Sequence, residues 1–84
     1  VSNWDDVIGE IVFERTEQLK QWGNDHDDQH TTLNWVALIA YYSSRWIKLQ
    51  FSPIIFRKSM IQAAALCIAA IDFIDRKLDK GALL

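Results

Sequence analysis

The sequence predicts an all-α fold of three main helices in a bundle that homodimerisation completes. Apolar residues recur at three- and four-residue intervals along most of the 84 residues, as one face of a 3.6-residue helix requires. Gly23, Pro53 and Gly81 fall at expected helix boundaries, and β-hairpin signals are absent. Half of the residues are hydrophobic and four are tryptophans. So short a chain buries a modest share of its surface, so these rings predict a subunit interface.

The first helix is expected over about residues 3–22. Ser2 and Asn3 are candidate caps, and Asp5 and Asp6 suit the positive end of the helix dipole. Val7, Ile8, Ile11, Val12, Arg15, Leu19 and Trp22 form its stripe, and Gly23 ends it. A polar loop over residues 23–30 follows. Thr31 or Thr32 caps a second helix over about 32–50. Trp35, Val36, Leu38, Ile39, Ala40, Tyr42, Trp46, Ile47 and Leu49 cover most of its circumference, which predicts burial on more than one side, by a second copy among others. Ser52 and Pro53 open a third helix over about 53–80, stopped by Gly81. Its expected inward residues are Met60, Ala64, Cys67, Ile68, Ile71, Ile74 and Leu78. At about 1.5 Å per residue it is about 40 Å long, more than one small domain needs. The whole of residues 1–84 reads as one domain.

Net charge is −2 and basic residues are scattered, which argues against nucleic acid as the main partner. Cys67, the single cysteine, is expected in the core of a reduced, cytoplasmic protein. Trp4-Asp5-Asp6 has the wrong charge for a secretory leader, and a start at Val1 suggests a trimmed amino end. The uninterrupted apolar run 63–71 is far shorter than the roughly 20 residues that span a bilayer, so a soluble chain is expected.

Polar chemistry is concentrated in Trp22-Gly23-Asn24-Asp25-His26-Asp27-Asp28-Gln29-His30. At about 100° per residue, Arg15 falls in the middle of the first helix's apolar stripe, with Gln18 and Glu14 along one edge. A guanidinium there needs an acceptor facing it. On the third helix, Arg57 and Asp75 fall beside the expected inward face, with Asp72 one step further out. One reading is an Arg15–Asp75 or Glu14–Arg57 ion pair that fixes helix register. The other is a divalent-cation site, since Mg²⁺ takes oxygen ligands that carboxylates from separate helices provide. Glu14, Asp27, Asp28, Asp72 and Asp75 are its candidate ligands, and the i, i+3 spacing of Asp72 and Asp75 lets both face one point. Glu10 and Glu17 read as the solvated side of the first helix. His26 and His30 lack a third histidine for zinc, and Trp22 is placed either to stack on a base or to plug the core. Neither a phosphate-binding glycine loop nor a Gly-x-Ser-x-Gly elbow is present.

Glu14-Arg15-x-x-Gln18, Gly23, His26-Asp27-Asp28-x-His30, Arg57 and Asp72-x-x-Asp75-Arg76 resemble a group of small uncharacterised proteins of phages, prophages and other mobile bacterial elements. The resemblance runs from about Ile11 to Arg76, and His-Asp-Asp-x-His is its most specific part. More distantly, Trp22, Asp25, Gln29, Thr31 and Leu33, with the Asp72/Asp75 pair, are similar to elements of the MazG-type all-α nucleotide pyrophosphohydrolases. That likeness implies Mg²⁺ bridging the phosphates of a nucleoside triphosphate and attack by water to release pyrophosphate. It also implies assembly as dimers or tetramers. On it, the five acids hold metal, Arg15 and Arg57 face phosphate, Trp22 meets a base, and Gln18, His26 and His30 complete the substrate site. The chain departs from that family in having no acid from Leu33 to Phe51, where clustered glutamates belong. The alternative is a non-catalytic helical homodimer that binds a protein partner.

Overall fold

The computed structural model describes residues 3–45 and 52–81. Among them are three helices and no strand: α1 Trp4–Asp28, α2 Thr32–Ser44 and α3 Pro53–Asp79. α3 is the central rod, and α1 and α2 pack along separate sides of it rather than against each other. The expected continuation of α2 toward Gln50, with Trp46, Ile47 and Leu49, lies outside the described residues, as does Ser2.

Each helix starts where its capping chemistry says it should. Asn3 accepts from the Asp6 N–H at 2.9 Å, and Ser52 accepts from the Ile55 N–H with Pro53 in the first turn. Thr31, rather than Thr32, caps α2 in a reciprocal box: its hydroxyl accepts from the Asn34 N–H, and the Asn34 side chain accepts from the Thr31 N–H. At the far end of α3, Gly81 adopts φ +69° and its N–H bonds the Leu78 carbonyl.

The expected polar loop is the main departure. α1 does not stop at Gly23 but kinks there and resumes as a helix to Asp28. Gly23 holds φ 76° and ψ 171°, a region essentially confined to glycine. One residue with no Cβ thus changes the direction of the rod without ending it.

The core is thin. Trp35 of α2 meets Leu66, Ala69 and Phe73 of α3, with Leu38, Ile39 and Tyr42 packed around them. Ala65 and Ala69 are fully buried, and such small residues let helices approach closely. Buried Ser59, Ala63, Leu66 and Phe73 therefore mark a different face of α3 from the expected one. Cys67, Ile71 and Leu78 are exposed, Ile68 is only partly covered, and Met60, Ala64 and Ile74 are half-buried. The helix is apolar on two sides, so periodicity could not choose between them. α2 buries one side only: Leu33 and Val36 remain exposed. α3 is long and apolar enough to cross a membrane by length and composition, a test that core helices of soluble proteins also pass.

Since a Cβ at Gly23 would meet nothing within 4 Å, Gly23→Ala isolates the backbone constraint from any clash. We expect it to lower the urea unfolding free energy by about 1–3 kcal/mol. A neutral outcome would mean that the kink is not required.

Candidate functional site

The kink turns residues 24–28 so that their acids point in different directions. Asp27 turns inward and accepts from Arg15 Nη2 at 2.8 Å, with both side chains more than nine-tenths buried. Arg15 therefore lies in the interior, although Ile8, Val12, Leu19 and Trp22 of the expected stripe are exposed, and its partner is Asp27 and not Asp75, which is also exposed. Asp28 turns the other way and accepts from Arg76 Nη2 at 2.6 Å. Arg76 also bonds Asp72, so this guanidinium clips the segment after the kink to the end of α3. Arg57 holds Glu10 through both carboxylate oxygens, not Glu14, and sits at the outer edge of the α1–α3 seam.

The remaining side chains of the motif form a wall of rings. Trp22 stacks toward His26 with centroids 6.0 Å apart, and His26 meets His30 edge-on at 5.1 Å. His30 stacks on Trp35 at 4.7 Å, and Trp35 touches Phe73 at 5.8 Å. His30 Nδ1 also lies 3.1 Å from the His26 carbonyl and 3.2 Å from that of Asp27, which ties the ring to the helix end. The ring series leads from the surface to the core.

Between α1 and α2, with α3 as its floor, this wall borders a cleft of about 380 Å³. Glu14, Glu17, Gln18 and Gln21 line the α1 side, while Trp35, Leu38 and Tyr42 line the α2 side. Of four polar side-chain atoms buried without a hydrogen-bond partner among the described residues, two, Gln18 Oε1 and Trp35 Nε1, belong to its lining residues, and two, Ser59 Oγ and Arg76 Nε, do not. Such orphans are costly in a folded protein and call for an explanation such as a ligand.

Of the candidate residues, Glu14, Gln18, Trp22, His26, Asp27 and His30 meet at the cleft. Asp28, Asp72, Asp75 and Arg57 do not, and Arg15 is engaged with Asp27 behind it. The five acids therefore do not form one ligand set. Among the described residues no three His, Cys, Asp or Glu side chains are grouped to hold a metal ion. Glu17 and Trp35 also line the cleft, outside the candidate set that the sequence offers. Glu17 reads as solvated from its position, and nothing in the sequence separates Trp35 from its neighbours on an apolar helix. A mark for Trp35 was present in the Thr31–Asn34 box, which fixes where α2 starts and so which residue meets the loop.

No family model matches the chain, and no curated protein or solved structure is significantly similar to it.

Two expectations follow from these pairs. Asp27→Ala strips a buried guanidinium of its counter-charge and should cost about 3–5 kcal/mol in chemical denaturation; a loss below about 1 kcal/mol would show that Arg15 finds water. The second concerns acid. The hydrogen bond from Arg57 lowers the Glu10 pKa, and that from Arg76 lowers Asp28, with Lys80 and Lys77 adding to it. A carboxylate depressed in the folded state stabilises above its unfolded pKa and loses that contribution as pH falls through its folded value. Stability should therefore decline from about pH 4.5, the ordinary value for Glu10, downward. Arg76→Met should flatten that decline in urea midpoints taken between pH 7 and 3; an unchanged slope would count against the clip.

Proposed function

We propose that the cleft between α1 and α2 binds a nucleotide and that the chain acts as a Mg²⁺-dependent, MazG-like nucleoside triphosphate pyrophosphohydrolase, assembled as a homodimer in a mobile bacterial element. The observation that carries the binding part is the pair of orphaned atoms beside an aromatic wall. An acceptor on Gln18 and a donor on Trp35 match the mixed donor and acceptor edge of a nucleobase. Beside them, Trp22 with His26 offers ring faces for stacking.

The fit to metal rests on Glu14 and Glu17, which are one turn apart on α1 and both line the cleft. Mg²⁺ usually takes one or two protein carboxylates and completes its shell with substrate phosphates and water. When bound there, it would neutralise phosphate charge and lower the pKa of the attacking water. Glu17, half exposed and 3.3 Å from Lys20, can exchange that partner at small cost. The Arg15–Asp27 pair holds the cleft wall and needs no direct part in the chemistry.

A second reading, a non-catalytic helical protein that binds a protein partner, is favoured by one observation. Leu33, Val36, Ala37 and Ala40 follow i, i+3, i+4, i+7 on α2 and are all exposed. That row is the pattern by which a helix docks into a groove.

Incubation with each nucleoside and deoxynucleoside triphosphate in Mg²⁺ should release pyrophosphate from at least one. Glu14→Gln should reduce the rate by at least about tenfold, and Gln18→Met should weaken nucleotide binding by about tenfold. No pyrophosphate from any substrate, together with no calorimetric binding, would reject the reading in favour of the second.

A further inference from the structure

A nucleotide brings phosphates, and the two arginines expected to face them are both committed elsewhere. Arg15 is buried against Asp27, and Arg57 holds Glu10 at the outer edge of the α1–α3 seam. Arg76 is taken as well, by Asp28 and Asp72. Arg45, the remaining arginine of the chain, differs from these three. Among the described residues no carboxylate pairs with it. Its Nη2 donates to the Gln62 amide oxygen at 2.7 Å, and its guanidinium carbon lies 5.3 Å from the centre of the Tyr42 ring. Both of those residues line the cleft between α1 and α2.

Arg45 is half-buried, and a guanidinium cannot shed its proton to relieve an unmatched charge. The Gln62 oxygen and the Tyr42 ring face hold it in place, but neither carries a counter-charge. Phosphate oxygens supply one, and the planar fork of arginine matches them in bidentate fashion. Helix directions put this group where phosphates would lie. Glu10 pairs with Arg57 and Asp28 with Arg76, so α1 and α3 run the same way. Arg45 meets Gln62 and Trp35 meets Phe73, so α2 runs the opposite way. Glu14 and Glu17, shortly after Glu10, therefore share one end of the cleft with Arg45. The rings of Trp22, His26 and His30 share the other end with Trp35. A base stacked on those rings sends its phosphates toward the guanidinium.

We infer that Arg45 binds the phosphates of the cleft's ligand, the role expected of Arg15 and Arg57. The inference rests on the nucleotide reading for its ligand and is independent of whether hydrolysis follows.

Calorimetric titration of the full chain in Mg²⁺ with three kinds of probe tests it: α,β-imido nucleoside triphosphates, the matching nucleosides, and inorganic tripolyphosphate. Arg45→Gln should weaken the triphosphate and tripolyphosphate by at least about tenfold, as loss of a hydrogen bond to a charged group does. Nucleoside affinity should stay unchanged. Arg45→Lys, which keeps the charge without the fork, should fall between wild type and Arg45→Gln. Should Arg45→Gln fail to fold, phenylglyoxal labelling of the wild type, read by peptide mass, carries the test. Triphosphate and tripolyphosphate should protect Arg45, and nucleoside should not. Unchanged phosphate affinity in Arg45→Gln, or labelling that the triphosphate does not slow, would overturn the inference and leave the nucleotide reading standing. Equal weakening of all three probes would also overturn it, since a residue that only supports the cleft would act that way. Failure of every probe to bind the wild type would remove the inference and the reading together.

Discussion

The buried ion pair between Arg15 and Asp27 constrains everything around it. A guanidinium keeps its charge at any accessible pH, so burying one obliges the chain to bring an acceptor to it. That acceptor comes from the same helix, twelve residues on, and reaches back only because the rod bends at Gly23. Sequence chemistry, a backbone conformation open to glycine and a desolvated charge thus meet at one point. Desolvation cancels much of the pair's attraction, so its effect is on geometry more than on stability.

From that geometry the cleft follows. With Asp27 drawn inward, His26 and His30 are left on one side as an aromatic wall, and Asp28 is left on the other to meet Arg76. α1 and α2 then stand apart over α3, and two residues that line the space between them, Gln18 and Trp35, each keep a polar side-chain atom buried without a partner.

Much of the architecture was legible because helix ends are governed by local chemistry. Asn3, Thr31, Ser52 and Gly81 each act within three or four residues of their own position; Ser52 and Gly81 are legible outright, whereas the sequence leaves Asn3 beside Ser2 and Thr31 beside Thr32 as alternatives. A helical plot puts Arg15 in an apolar stripe, yet Ile8, Val12, Leu19 and Trp22 of that stripe are exposed and the buried residues of α1 are Arg15, Gln18 and Asp27. The partner of Arg15 was not legible, because the choice among Asp27, Asp28 and Asp75 depends on a bend that a boundary glycine signals only ambiguously. Gly23 looked like a stop and proved to be a kink. The core face of α3 was hidden for another reason: with apolar residues on two sides, periodicity identifies both and ranks neither. Small size decided it, as Ala65 and Ala69 allow an approach that Ile71 and Leu78 would prevent.

The central claim is that Arg15 and Asp27 act as one unit across the Gly23 bend. A double-mutant cycle with Arg15→Met and Asp27→Leu, followed by urea unfolding, tests it most directly. The account requires each single change to be severe and the double to be much milder than their sum, with a coupling of about 2–3 kcal/mol. Additivity within about 0.5 kcal/mol would contradict it, since two side chains that do not meet would behave that way.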